Sequence, residues 1–191
     1  IIELVSPNRK LTEYLIPSNV FSPEKIFLAG DLVKIDFEEV LVHVVEVKNN
    51  KVVCRVITGG EIGSNKGISV DRHIDLSAFT EKDIKVLKIS NRLKIKTIFL
   101  SFCSDGESVM ELRDLFNYDI KIISKIENQT GLKNIDDICI SSDGILIDRG
   151  DLSKQVPLEK IPFVQKYIIK RCSLLGKEVI VATNTLEQMS S

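Results

Sequence analysis

The sequence predicts an α/β protein in which a parallel sheet, with helices outside it, follows a β-rich segment. Three observations carry that expectation. Up to about residue 58 the readable elements are strands rich in β-branched side chains, with no helix among them. A glycine-containing stretch spans roughly residues 59–80. From residue 81 onward, four short apolar strands alternate with helical patterns, the order that puts helices on a parallel sheet. The expected organisation is therefore a β segment over 1–58, a connection over 59–80 and an α/β region over 81–191. An open doubly wound sheet and a closed barrel both satisfy this alternation.

The elements follow in order. The first 30 residues show only turn signals, Pro7-Asn8-Arg9 and Pro23-Glu24. Val33, Ile35, Val40, Val42, Val44 and Val47 mark strands, Asn49-Asn50 a turn, and 51–57 a resumed strand. Gly59-Gly60 through Gly67 tempts a phosphate-loop reading. That motif ends in Gly-Lys-Ser/Thr, whereas Lys66 lies between Asn65 and Gly67, so the stretch reads as a hinge. Thr80 with Asp83 suits a helix start, and 96–102 a buried strand. Ser104-Asp105-Gly106-Glu107 is a second capping signature, with Val109, Leu112 and Phe116 at helical spacing after it. Ile120–Ile126 is a strand, 135–138 a short helix and Gly144–Ile147 a third strand. Ile161, Val164, Ile168, Cys172 and Leu175 then mark a long helix, with Gly176 as its terminator. Glu178–Ala182 is the fourth strand, and a further helix begins after it.

Composition narrows the class. The chain has 191 residues, 43% hydrophobic and 28% charged, as globular domains do, and a net charge of −1. That balance gives no electrostatic case for nucleic acid or an anionic membrane. No run of about 18 apolar residues occurs, so no membrane span is expected. Cys54, Cys103, Cys139 and Cys172 are far apart, without a C-x-x-C or a histidine cluster. They read as small buried hydrophobes in a reducing compartment. Asn128-Gln129-Thr130 fits a glycosylation sequon, but no charged-then-apolar signal segment opens the sequence to give it meaning. The expectation is a cytoplasmic globular protein.

The chemistry sits where the strands end. The four strands run out in Ser101-Phe102, Lys125-Ile126-Glu127-Asn128, Arg149-Gly150-Asp151 and Thr183-Asn184. Parallel α/β folds gather active sites at this edge. Glu127 and Asp151 form a candidate pair for a divalent cation that keeps several waters, as magnesium does. Lys125 at the same mouth is placed to neutralise charge on a substrate oxygen. Gly150 permits close approach to the backbone, and Thr183 offers a hydroxyl. Taken singly, each of these residues is also ordinary loop chemistry. Four strands in series ending this way favour a site for a small anion bound through a metal.

At these residues the chain resembles the pyruvate kinase family. Residues 122–128, Ile-Ile-Ser-Lys-Ile-Glu-Asn, and 142–152, Ser-Asp-Gly-Ile-Leu-Ile-Asp-Arg-Gly-Asp-Leu, are similar to its signature in order and spacing. Gly176–Thr183 with Leu186-Glu187-Gln188-Met189 is similar to the next strand and helix. Residues 59–69 and 77–83 resemble the return from the family's lid domain into its barrel. The resemblance covers roughly Lys51 to Met189. It implies a partial (β/α)8 TIM barrel of about four βα units, with a β-rich segment from an inserted lid domain. It also implies transfer of the phosphoryl group of phosphoenolpyruvate to ADP in glycolysis, giving pyruvate and ATP, by a cytoplasmic homo-oligomer, a tetramer.

Roles carry over position by position. Lys125 matches the lysine that stabilises the enolate. Glu127 and Asp151 match the carboxylate ligands of Mg2+ or Mn2+, and Gly150, Asp151 and Thr183, with Lys125, the substrate contacts. Lys66 matches a lysine near the nucleotide. The family's phosphate- and potassium-binding Arg and Asn-Phe-Ser motif does not occur here, so any K+ site lies outside these residues. Departures stand beside the matches: Asp148 and Ser153 replace the usual Ala and Gly, Cys103-Ser104 lacks a common arginine, and Asn184-Thr185 replaces Gln-Met. A whole barrel takes about 250 residues, so a portion of a longer chain is expected. A second function class follows from the departures: a catalytically altered or inactive domain serving assembly, regulation or another phosphoenolpyruvate reaction.

Overall fold

The computed structural model describes residues 1–5, 10, 12, 14–17, 22–36, 40–63, 67–72, 74 and 79–183. The chain divides into two compact units, Ile1–Leu76 and Ser77–Ser191. Among the described residues no helix is long and apolar enough to cross a membrane.

The first unit is a six-stranded sheet. It comprises β1 (Ile2–Val5), β2 (Leu15–Pro17), β3 (Leu32–Ile35), β4 (Val40–Lys48), β5 (Lys51–Thr58) and β6 (Ile68–Val70), in the order β2-β1-β5-β4-β3-β6. Only β1 and β2 run parallel. β4 and β5 form a hairpin across Asn49-Asn50, where Asn50 takes φ 64°, a conformation that asparagine tolerates. Alternate residues Val40, Val42 and Val44 on β4 and Val52 and Cys54 on β5 are buried, which gives the sheet an inner face with Leu4, Val33 and Ile35. Three strands escape the sequence reading. β1 and β2 lie in the opening segment read only for turns, and each is too short to show a period. β6 lies within 59–80, the stretch expected to connect, and pairs with β3. Asp31, 6% exposed, precedes β3 and accepts from Arg72 Nε at 2.8 Å, Arg72 Nη2 at 2.9 Å and the Leu28 N–H at 2.8 Å.

The second unit alternates as expected: α1 (Glu81–Arg92), β7 (Thr97–Leu100), α2 (Gly106–Asp114), β8 (Lys121–Ile126), α3 (Gln129–Lys133), α4 (Ile135–Ser141), β9 (Gly144–Asp148), α5 (Arg149–Leu152), α6 (Ile161–Leu174) and β10 (Glu178–Ala182). The four strands are parallel, in the order β10-β9-β8-β7. Thr80 and Asp83 make a reciprocal capping box on α1. At the end of α6, Gly176 takes φ 65°; its N–H donates to the Ser173 carbonyl and that of Lys177 to the Cys172 carbonyl. These two bonds make a Schellman terminus, and glycine is there because the left-handed conformation is costly with a Cβ.

Register separates the two sheet faces. Leu100, Ser124, Ile145 and Val179 are paired across the strands, as are Ile126, Ile147 and Val181. These rows face the helices and belong to a core completed by Val109, Leu112, Ile138, Ile168 and Cys172. Ser124 and Ser142, both buried, satisfy each other at 2.6 Å. On the opposite face lie Phe99, Ile123 and Gly144 in one row and Lys125, Leu146 and Ile180 in the next.

Three local expectations change. The 96–102 strand is not buried: Phe99 is 51% exposed, and of β7 only Leu100 is buried, because β7 is an edge strand with helix cover on one face alone. The cap of α2 is Asp105 rather than Ser104; its Oδ1 accepts from the Ser108 N–H at 2.8 Å. Arg149-Gly150-Asp151 does not continue β9 but winds into α5, one turn capped by Asp148. All four cysteines are free and buried.

Candidate functional site

The ends of β8, β9 and β10 bring five of the six sequence-predicted site residues together. Lys125 and Lys121 share a face of β8 with Ile123 between them, so the alternation that buries Ile126 among the helices turns Lys125 to the other side. Glu127 follows directly and is 2% exposed. Its Oε1 accepts from Lys125 Nζ at 2.6 Å and its Oε2 from the Phe102 N–H at 2.5 Å. Burial dominates its titration and pushes the Glu127 carboxyl above the ordinary range, against the pull of Lys125 and the Phe102 amide. For Lys125 burial opposes the charge, but the hydrogen bond and charge of Glu127, with Asp148 behind it, outweigh burial and hold the ammonium above its usual value.

β9 and β10 supply the rest. Asp148 is the last residue of β9 and pairs in register with Ala182. Its carboxylate accepts from Thr183 Oγ1 at 3.0 Å and lies 3.4 Å from Lys125 Nζ. Burial would raise its carboxyl, yet Thr183, the Asp151 N–H and Lys125 together keep it below the ordinary range. Asp151, in the first turn of α5, meets Lys154 Nζ at 2.6 Å. Gly150 packs so closely that a Cβ there would lie 3.1 Å from Thr183 Cγ2 and 3.5 Å from Asp148 Oδ1. One oxygen from each of Glu127, Asp148 and Asp151 falls within 4.8 Å of the others. Three carboxylates with oxygens this close are the hard donors that magnesium or manganese takes. The donor set fits such a cation.

Backbone strain marks the same edge. Phe102 after β7 has φ 51° and Thr183 after β10 has φ 69°, the latter on a β-branched residue for which this region is disfavoured. Such conformations cost about 1–3 kcal/mol each and persist where surroundings over-determine them. At Phe102 the left-handed turn accompanies the amide hydrogen bond to Glu127; at Thr183 it accompanies the hydroxyl bond to Asp148. A separate concavity lined by Lys96, Arg113, Asp119, Lys121 and Asp143 lies at the opposite strand ends and includes none of the cluster.

Some site residues were not visible in sequence. In sequence Asp148 stands out only as a replacement for the family's usual Ala, yet it contacts both Lys125 and Thr183. The Phe102 amide carries no side-chain signal at all. Lys154, two positions past the end of α5, pairs with Asp151 three residues before it, and the hidden helical turn gave no sequence signal for that contact. Lys66, the expected nucleotide contact, and Asn184-Thr185 lie outside the described residues, as does 186–189.

A parallel βα sheet with acids and a lysine at its C-terminal edge defines an α/β protein with a candidate cation site at its strand ends. The family model for the pyruvate kinase barrel domain matches residues 18–191. Over 149 residues the chain is 41% identical to the pyruvate kinase of Clostridium perfringens, covering 75% of this chain and 31% of that protein. It is 39% identical over 165 residues to the pyruvate kinase of Clostridium acetobutylicum, covering 84% and 35%, and 36% identical over 186 residues to that of Candida albicans, covering 95% and 35%. The chain belongs to the pyruvate kinase family, and its parallel unit is part of a (β/α)8 barrel. It spans about a third of the length of these relatives.

Proposed function

We propose that the whole protein transfers the phosphoryl group of phosphoenolpyruvate to ADP, in the glycolytic direction, as a cytoplasmic homo-oligomer. The observation that carries this reading is the convergence of Lys125, Glu127, Asp151 and Thr183 at one edge of the sheet, in a chain of this family. Glu127 and Asp151, with Asp148 beside them, are the residues that would hold Mg2+ or Mn2+. When bound there, the cation supplies positive charge to the phosphate and carboxylate oxygens of the substrate. The rest falls to this chain's own groups. The Lys125 ammonium, kept charged by its carboxylate neighbours, stabilises the enolate oxygen left as the phosphorus–oxygen bond breaks. Gly150 lets the substrate carboxylate approach the start of α5, and the Thr183 hydroxyl orients it. Lys66 contacts the nucleotide. Positioning and charge do the catalytic work, as in other phosphoryl transfers.

The test is calorimetric titration of Mg2+ and then phosphoenolpyruvate into the full-length protein, with Asp151→Asn as comparison. Cation-dependent phosphoenolpyruvate binding that Asp151→Asn removes is the expected result, followed by pyruvate formation with ADP. A folded protein that binds neither ligand would sink the proposal. One observation favours the alternative of an altered or inactive domain: Lys154 already holds Asp151 at 2.6 Å, so a cation must displace it. Cation binding without pyruvate formation would select that alternative.

A further inference from the structure

Asp148 takes no role from the family resemblance, yet it contacts Lys125, Thr183 and the Asp151 N–H at once. Its side chain, 18% exposed, lies 3.4 Å from Lys125 Nζ and accepts from Thr183 Oγ1 at 3.0 Å. It also caps α5 through the Asp151 N–H at 3.4 Å. Capping and the threonine bond ask only for a short side chain with an acceptor oxygen, which Ser, Thr or Asn supplies equally. A full carboxylate does something those cannot: it adds a negative charge within 4.8 Å of ligand oxygens of Glu127 and Asp151. Three carboxylates then face the two ammonium groups in ion-pair contact with them, Lys125 and Lys154.

Each added carboxylate in a partly desolvated cluster attracts a divalent cation strongly and repels an anion. Gly150 lets Thr183 and Asp148 close up on the start of α5, where a Cβ would lie 3.1 Å from Thr183 Cγ2. We propose that Asp148 is a third carboxylate of the cation site, a specificity-determining residue that raises affinity for a divalent cation and penalises an anionic substrate when no cation is present. The proposal rests on the reading of Glu127 and Asp151 as cation ligands. It makes cation binding precede substrate: the cluster is a poor anion site until its negative charge is met.

The experiment measures Mn2+ binding to the full-length protein from the electron paramagnetic resonance signal of free Mn2+. Wild type is compared with Asp148→Asn, Asp148→Ala and Asp151→Asn. Asp148→Asn keeps the cap and the acceptor for Thr183 and removes only the charge. We expect it to weaken Mn2+ by about tenfold or more, with a thermal midpoint lowered less than in Asp148→Ala. Phosphoenolpyruvate binding in chelator-treated buffer tightens in the same variant. Asp148→Ala weakens Mn2+ at least as much and lowers the midpoint as well. Wild-type Mn2+ affinity in Asp148→Asn, with affinity lost in Asp151→Asn, reduces Asp148 to a helix cap and overturns the proposal alone. Unchanged affinity in both overturns it together with the cation-site reading beneath it. If Asp148→Asn fails to unfold cooperatively, Asp148→Ser, which also keeps a capping oxygen, is judged by the same criteria.

Discussion

At the scale of single residues, Lys125 and Asp31 show how charge is managed in the two units. Lys125 is anchored by Glu127 at 2.6 Å, and both gain from the contact only because burial has removed competing water. Lys125→Met keeps the length of the side chain and removes the ammonium. In the full-length protein its kcat is expected to fall about 10²–10³-fold, the loss typical of deleting one charge-stabilising donor. The dissociation constant of phosphoenolpyruvate should change far less. A loss confined to binding would place Lys125 outside the reaction. In the first unit, the Arg72 guanidinium holds the Asp31 carboxyl below its ordinary value of 3.8, overcoming the opposing effect of burial. A carboxyl whose folded pKa is depressed stabilises fully above the unfolded value and loses that contribution as pH falls through the folded one. Asp31→Asn is therefore expected to lower the thermal midpoint of the first unit at pH 7, and the gap to wild type should close below pH 3.8. An equal gap at both ends of the range would assign the effect to shape rather than charge.

At the scale of elements, local signals worked where the reason for an element is itself local. The capping box at Thr80 and Asp83 and the glycine terminator at Gly176 are short-range hydrogen-bond devices, and both stand where sequence places them. The cap of α2 moved by one residue because Ser104 and Asp105 are both good caps, and only the approach of the chain chooses between them. Asp105→Ala should cost about 1 kcal/mol of stability, whereas Ser104→Ala should cost little. Chemical denaturation of the two variants distinguishes them, and a larger loss at Ser104 would contradict the observed cap. β1, β2 and β6 were not legible for a different reason. Strands of three or four residues gain most of their hydrogen bonds from partners far along the chain, such as β1 with β5. α5 was hidden because one helical turn has no period to read.

At the scale of the whole molecule, the parallel sheet of the second unit is covered by helices on one face, while the other exposes apolar surface at its β7 edge. Phe99 is 51% exposed on that face, and β7 and β10 end the sheet among the described residues. Apolar surface beside unpaired strand edges favours association. Residues 1–191 produced alone are expected to self-associate, and Phe99→Lys to reduce that association, as read by sedimentation velocity. A monomer across the accessible concentration range would show that the face is tolerated in water.

Sequence by itself determined the β character of residues 31–58, most of the strand and helix alternation from residue 81 onward, and the polar residue types at the strand ends. Periodicity, caps and turn chemistry act over a few residues, and Lys125, Glu127, Gly150, Asp151 and Thr183 stand at strand ends that those signals locate. Tertiary structure alone decided which of these groups touch. The parallel register sets Asp148 beside Ala182 and so within reach of Thr183 and Lys125, and the strained turn at Phe102 turns a backbone amide onto Glu127. Those contacts join residues some 20 to 35 positions apart, and distances of that kind are set by strand pairing and packing, which no local pattern encodes.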